Sequence, residues 1–426
     1  MTWRQRYRLR ALVRTSVWIV PLGAVLAALI ASPVLRWVDR RLGWSLLDFS
    51  PEGARAVLGA LAASMMTFIV FVFSILLVAV QIAGSQLSPR IIARAFRNPA
   101  TRSCLGLFAF TFTYTVATLG RIDTATPHLP ALLAVLLSLA SIGAFLYLID
   151  HLGKGLRPVT ILTELGAEGH DIVVTAYPRL LGGEDDATEA TAPFRPAAPP
   201  NRVLTSGAPG VVLAFDAGGL LDVASRADCL VELVPQVGDF VALGDPLFLI
   251  HGDLPAGEEA RLLGSVALGP ERTAEQDPAF AFRVIVDIAA RALSPGINDP
   301  TTAVLALDQL HHLLREVGRR HLDDGVVRDP RGRVRLLYRT PDWEAFVFLA
   351  VSEIRHYGGG SIQVARRLHA LLENLIQSLP RQRVPLLKKE LALLEEAAER
   401  QFPAVDDRFR AATPDYQGIG SALPRK

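Results

Sequence analysis

The chain has 426 residues, a formal net charge of +2 and two cysteines, Cys104 and Cys229. That length exceeds one ordinary domain, the near-balanced charge offers nothing for nucleic acid as a partner, and two distant cysteines exclude a disulfide framework or a Cys/His metal site. Half of the residues are hydrophobic, and the apolar excess is concentrated before about Asp150.

A basic N-terminus (Arg4, Arg6, Arg8, Arg10, Arg14) runs into the first of four charge-free windows, near 15–35, 56–88, 103–120 and 129–149. The first is too long for the apolar core of a signal peptide and reads as a retained helix. Each window is about long enough to cross a ~30 Å hydrocarbon core, the third being the shortest. Together they predict an α-helical membrane bundle over 1–153, with lipid as its surroundings. Arg90, Arg94, Arg97 and Arg102 crowd the second loop without an acidic residue. With the basic N-terminus they place that loop and both termini in the cytoplasm. The first loop argues the other way, mixing Arg36, Arg40, Arg41 and Arg55 with Asp39, Asp48 and Glu52.

The second window is unusual. As one helix it spans ~50 Å at 1.5 Å per residue, so it must tilt, bend near Gly84 or project from the bilayer. Thr67, Ser74, Gln81 and Ser88 recur every seven residues, flanked by Ser64 and Ser85, and so share one face. Phe68, Ile69, Val72, Ile75, Leu76 and Ala79 lie opposite. Small hydroxyl residues let helices pack closely, which is the commoner use of such a stripe. In a symmetric oligomer the same stripe lines a wet path, with Arg90, Arg94 and Arg97 ringing its cytoplasmic end. No charged residue lies inside the windows, so neither a proton relay nor a voltage sensor is expected.

Residues 154–201 read as a connector helix followed by an acidic, then Pro/Ala-rich linker. From 202 to 255 short β-like runs alternate with Gly and Pro. There the stretch VELVPQVGDFVALGDPLFLIHG resembles the barrel-sandwich domains of lipoyl and biotinyl carriers and membrane-fusion adaptors. Its turns fall at Gly238-Asp239 and Gly244-Asp245-Pro246. No lysine occurs between Lys154 and Lys388, so nothing is available to lipoylate or biotinylate, and no cofactor is expected.

Helical periodicity resumes over 256–412, before a tail at 413–426 whose apolar content predicts no element. Asp287 and Arg291 sit four apart and are expected to pair. Ser294-Pro295-Gly296 breaks the helix, Asp299 is placed to cap the next one, and Pro300 suits its first position. Caps are commoner than ligand sites, but free amides at Thr301 and Thr302, with Asn298, Arg272 and Arg291, also compose a candidate anion site. His311 and His312 are adjacent, not i, i+4, so no metal site is expected there. No catalytic constellation is present, and no enzyme is expected.

Three motifs in order, VAVQIAGSQLSPRIIARAFRNPATRSCLGLFAFTFTY, GDFVALGDPL and ERTAEQDPAF…DIAARALSPGINDPTTA, resemble the bacterial predicted membrane proteins grouped as domain of unknown function 2254. The resemblance spans nearly the whole chain and implies an inner-membrane protein, with no activity to carry over. The expected architecture is thus a membrane α-helical bundle bearing a cytoplasmic α+β region. Two functional readings stand: an oligomeric channel-like pore lined by the second helix, or a membrane-anchored ligand sensor or scaffold.

Overall fold

The basic N-terminus, read from sequence only as a charged tail, forms a helix, α1 (Trp3–Thr15). The computed structural model describes residues 3–16, 18–42, 50–86, 98–122, 128–155, 157–181 and 194–419. These fall into two units, one covering Arg10–Thr160 and the other Ile161 onward with the residues up to Leu9.

The first unit holds α2 (Ile19–Leu42), α3 (Pro51–Gln86), α4 (Pro99–Leu119) and α5 (His128–Gly155). Three of them are long and apolar enough to cross a membrane, at Ile19–Arg41, Pro51–Ile82 and His128–Gly155; α4, the third expected span, is not among them. The reason is compositional. This helix is threaded through the middle of the unit and buries Thr101, Thr111, Thr115 and Thr118 beside Phe108 and Tyr114. A helix surrounded by helices does not need the hydropathy that lipid demands. Asn98 starts α4 by accepting from the Ala100 amide at 2.9 Å, with Pro99 in the first turn. The second helix runs unbroken from Pro51 to Gln86, through Gly84, about 54 Å at 1.5 Å per residue. Its inner face packs Val72 and Leu76 against Cys104, Leu105, Phe108 and Leu148.

The second unit contains α6 (Pro158–Ala176), β1 (Arg202–Thr205), β2 (Gly210–Phe215), α7 (Ala217–Arg226), β3 (Leu230–Leu233), β4 (Phe240–Val241), β5 (Pro246–His251), α8 (Glu258–Leu263) and β6 (Val266–Gly269). It continues with α9 (Pro278–Ala292), α10 (Pro300–Gly318), β7 (Val326–Arg328), β8 (Val334–Tyr338), α11 (Trp343–Gly358), α12 (Ile362–Ser378), α13 (Val384–Gln401) and α14 (Val405–Ala411). The strands make a five-stranded sheet, β1-β5-β3-β8-β7, and a three-stranded one, β4-β2-β6. The β part therefore reaches beyond the expected 202–255. β6 joins from 266–269, and β8 returns after two helices to pair in parallel with β3, Val231 opposite Leu336. The two glycine turns are present as expected. Gly238 and Gly244 have φ of +96° and +87°, and the Asp239 and Asp245 carboxylates accept from the Gln236 and Ala242 amides.

The helical part is centred on α9, whose Phe282, Ile285, Ile288 and Ala289 are fully buried. α6 approaches it closely because position 169 is glycine: a Cβ there would sit 3.0 Å from Ala281 and 3.1 Å from Leu313. The tail is not featureless up to Ile419. Asp415, fully buried, accepts from the Gln417 and Gly418 amides, and Gln363 on α12 donates to the Gly418 carbonyl.

Arg335 ties the returning hairpin down. Buried, it donates to Asp329, to Asp228 and to the Cys229 carbonyl. Burial works to raise the Asp329 carboxyl, but donation from the Arg333 and Arg331 amides and from Arg335 outweighs it and holds the pKa at about 2. A carboxyl held below its unfolded value, about 3.9, stabilises the fold above that pH and loses the contribution as pH falls toward 2. Asp329→Asn is therefore expected to be less stable than the parent at pH 6 and to converge with it below about pH 2. Pulse proteolysis with pepsin across the acid range, compared with a neutral-pH protease, measures this. A gap that stays constant with pH would remove Asp329 as the responsible group.

Candidate functional site

Four of the stripe residues on α3 are described, and all four point away from the rest of their own unit. Ser64, Thr67, Ser74 and Gln81 are exposed, whereas Leu58, Met65, Val72, Leu76 and Ala79 are buried. Ser64, Thr67 and Ser74 donate their hydroxyls to the carbonyls four residues back, Ala60, Ala63 and Val70, at 2.9, 3.1 and 2.9 Å. A hydroxyl bonded in this way is satisfied without a partner helix, so the stripe tolerates lipid, water or a second surface. The stripe is thus not a dry contact inside one subunit. Ser88, Arg90, Arg94 and Arg97 lie outside the described residues, as does the side chain of Ser85.

Other polar groups of this unit bond between its helices. The Asp39 carboxylate accepts from the Leu129 amide at the start of α5, at 2.9 Å. Asn98 and His151 meet at 2.8 Å, Arg55 donates to the Ile122 carbonyl, and Thr111 and Ser141 bond at 3.1 Å.

The second candidate region divides. Arg272, expected beside the Asp299 corner, sits instead at the start of α9, where it grips Asp277. Arg291 lies in the last turn of that 15-residue helix and Asn298, Thr301 and Thr302 follow it, so about 20 Å of helix stands between them and Arg272. At the corner itself Asp299 caps α10 as expected, accepting from the Thr302 amide at 3.1 Å and from the Thr302 hydroxyl at 2.6 Å. Its carboxylate thus takes two of the donors an anion would use. Asn298 adopts φ +49°, one of two non-glycine residues with positive φ among those described. Asp287 takes Arg283 at 2.6 Å, and Arg283 also clamps Glu353 with two bonds of 2.5 and 2.7 Å. Hydrogen bonding to Arg283 holds Glu353 below the ordinary carboxylate range.

The segment Glu271–Asp277 turns out to be a hub. Asp277 is buried, caps α9 through the Phe280 amide and pairs with Arg272. Burial holds its carboxyl above the usual range in spite of that partner. Gln276 bonds both the amide and the carbonyl of Phe215 at the end of β2. Arg272 lies against Gly238, where any Cβ would meet the guanidinium. Two motifs far apart in sequence, VGDF and ERTAEQDP, are therefore one joint. Sequence reading singled out Asp299-Pro300 and passed over Asp277-Pro278, although the same Asp-Pro pair marks both helix starts.

Relatives include uncharacterized proteins of Mycobacterium tuberculosis and Mycobacterium bovis, each 30% identical over 413 residues, covering 92% of this chain and 78% of theirs. No solved structure matches. The family described as predicted membrane protein, domain of unknown function 2254, matches residues 14–374, and the chain belongs to that family.

Proposed function

We propose that the chain is one subunit of a homo-oligomeric, channel-like assembly in the bacterial inner membrane, non-enzymatic, with α3 facing the shared axis. The observation that carries this reading is the outward, exposed row of Ser64, Thr67, Ser74 and Gln81 on a helix long enough to cross the bilayer. In lipid an uncovered glutamine amide is costly, and a second copy or water relieves it.

The reading takes α4 as a fourth span. Asn98, before its first residue, reaches His151 near the end of α5, while the Tyr114 hydroxyl donates to the Pro130 carbonyl near the start of α5. The two helices thus run antiparallel over a common length, and α4 crosses whatever α5 crosses. An even number of spans keeps both termini on the cytoplasmic side, as the arginines of the second loop favour. The alternative, a membrane-anchored anion sensor or scaffold, is less supported because Asp299 already occupies the Thr302 amide and hydroxyl at the start of α10.

Single cysteines at Thr67, Ser74 and Gln81, in a Cys104→Ala/Cys229→Ala background, test the reading. The expected result is cross-linking between copies and modification by membrane-impermeant thiosulfonates, with ion flux from reconstituted vesicles falling about tenfold or more for Ser74→Trp. Cysteines that never cross-link and react only with lipid-soluble reagents would end the pore reading and leave the scaffold.

A further inference from the structure

The helix α1 separates two kinds of surface. Tyr7 lies beside Thr273 and Glu275, and burial pushes its phenol up to about 12. Trp3, four residues earlier, stacks on Tyr7 with ring centroids 5.3 Å apart. Almost directly across the helix, Leu9, Leu12 and Val13 are exposed by 53%, 60% and 50%, and their spacing of three and four puts them on one stripe. A bare apolar stripe of this kind is unfavourable in water, and its surroundings follow from its position in the chain. α1 ends at Thr15 and the first candidate span begins at Ile19, so at most about 15 Å of backbone separates them. Trp18, exposed at the mouth of that span, is a residue type that settles at the headgroup level.

Charge then selects the kind of lipid. Residues 1–38 contain Arg4, Arg6, Arg8, Arg10, Arg14 and Arg36 and no aspartate or glutamate. Helical register sets positions 6 and 10 on one flank of the apolar stripe and position 8 on the other. This is the pattern of a helix lying in the membrane surface, apolar face down, with cations at phosphate level.

We propose that α1 is an interfacial helix that binds anionic phospholipid, its Leu9–Leu12–Val13 face inserted at the headgroup boundary and the basic positions 6, 8 and 10 that flank this face at the level of the lipid phosphates. The proposal rests on α2 crossing the membrane and is independent of whether α3 lines a pore.

Hydrogen–deuterium exchange on the full chain in nanodiscs tests it, with phosphatidylcholine alone compared against a three-to-one mixture with phosphatidylglycerol. Amides of residues 6–15 are expected to exchange roughly tenfold or more slowly in the anionic discs. The double variant Arg6→Gln/Arg10→Gln should lose most of that difference while exchange in α10 (300–318) stays unchanged, which shows that the soluble unit is folded. Equal exchange in the two lipids overturns the proposal, and equally slow exchange would assign the stripe to a protein surface such as a second copy. Retention of the full lipid difference by the double variant would also overturn it.

Discussion

Replacing Arg272 with alanine is expected to weaken the joint between α9 and the three-stranded sheet by about 3 kcal/mol, the low end for breaking a buried pair, since Arg272 itself keeps some solvent contact. Asp277 is 2% exposed, and without the guanidinium its carboxylate is left buried with only backbone amides for company. The carboxyl is already raised by burial, and removing Arg272 raises it further. A raised folded pKa contributes stability below the unfolded value and loses it as pH rises, so the defect should be mild near pH 4 and full at pH 7. Cys229, buried in the same core as Phe215, is a built-in reporter. In a Cys104→Ala background its thiol-labelling rate should rise about a hundredfold at pH 7. Lysine at 272 should rescue only part, because the site uses two guanidinium nitrogens. An unchanged labelling rate in Arg272→Ala would mean that Asp277 is held by its cap alone.

Gly325→Ala is expected to be at least as damaging. At φ +73° an added Cβ would run into the Tyr338 carbonyl oxygen. That oxygen belongs to backbone whose amide bonds the Gly325 carbonyl at 2.9 Å, so neither side can retreat without opening the β7–β8 hairpin. The expected cost is about 4 kcal/mol or more, from a strained conformation and a clash that cannot relax. Faster proteolytic cutting within 320–340 measures it. A substitution cut no faster than the parent would show that the hairpin shifts at little cost. Gly332, at φ +80° with open space around it, is the control, since alanine there meets only the backbone strain.

The membrane character of the chain and the placement of most strands were legible because they rest on local quantities. Charge-free windows mark helices in lipid, and Gly238 and Gly244 mark turns, whatever the rest of the chain does. Asp299-Pro300 announced a helix start for the same reason. The position of Arg272 was not legible where locality ended. Arg272 is five residues from Asp277, and nothing in the sequence distinguishes that partner from Asp299 until α9 is seen to stand between them. That Arg283 joins Asp287 to Glu353, seventy residues on, likewise depends on the packing of α11 against α9.

The sequence by itself determined that the N-terminal part has membrane character, where α10 starts and which glycines turn at Gly238 and Gly244, because hydropathy, caps and positive φ act within a few residues. Only the tertiary structure decided that β8 comes back to β3 and that VGDF and ERTAEQDP form one joint. It likewise decided that α4 is the interior helix and that the hydroxyl stripe of α3 faces outward. Those are outcomes of which surfaces meet, and burial and pairing at a distance depend on the whole set of elements rather than on any one of them.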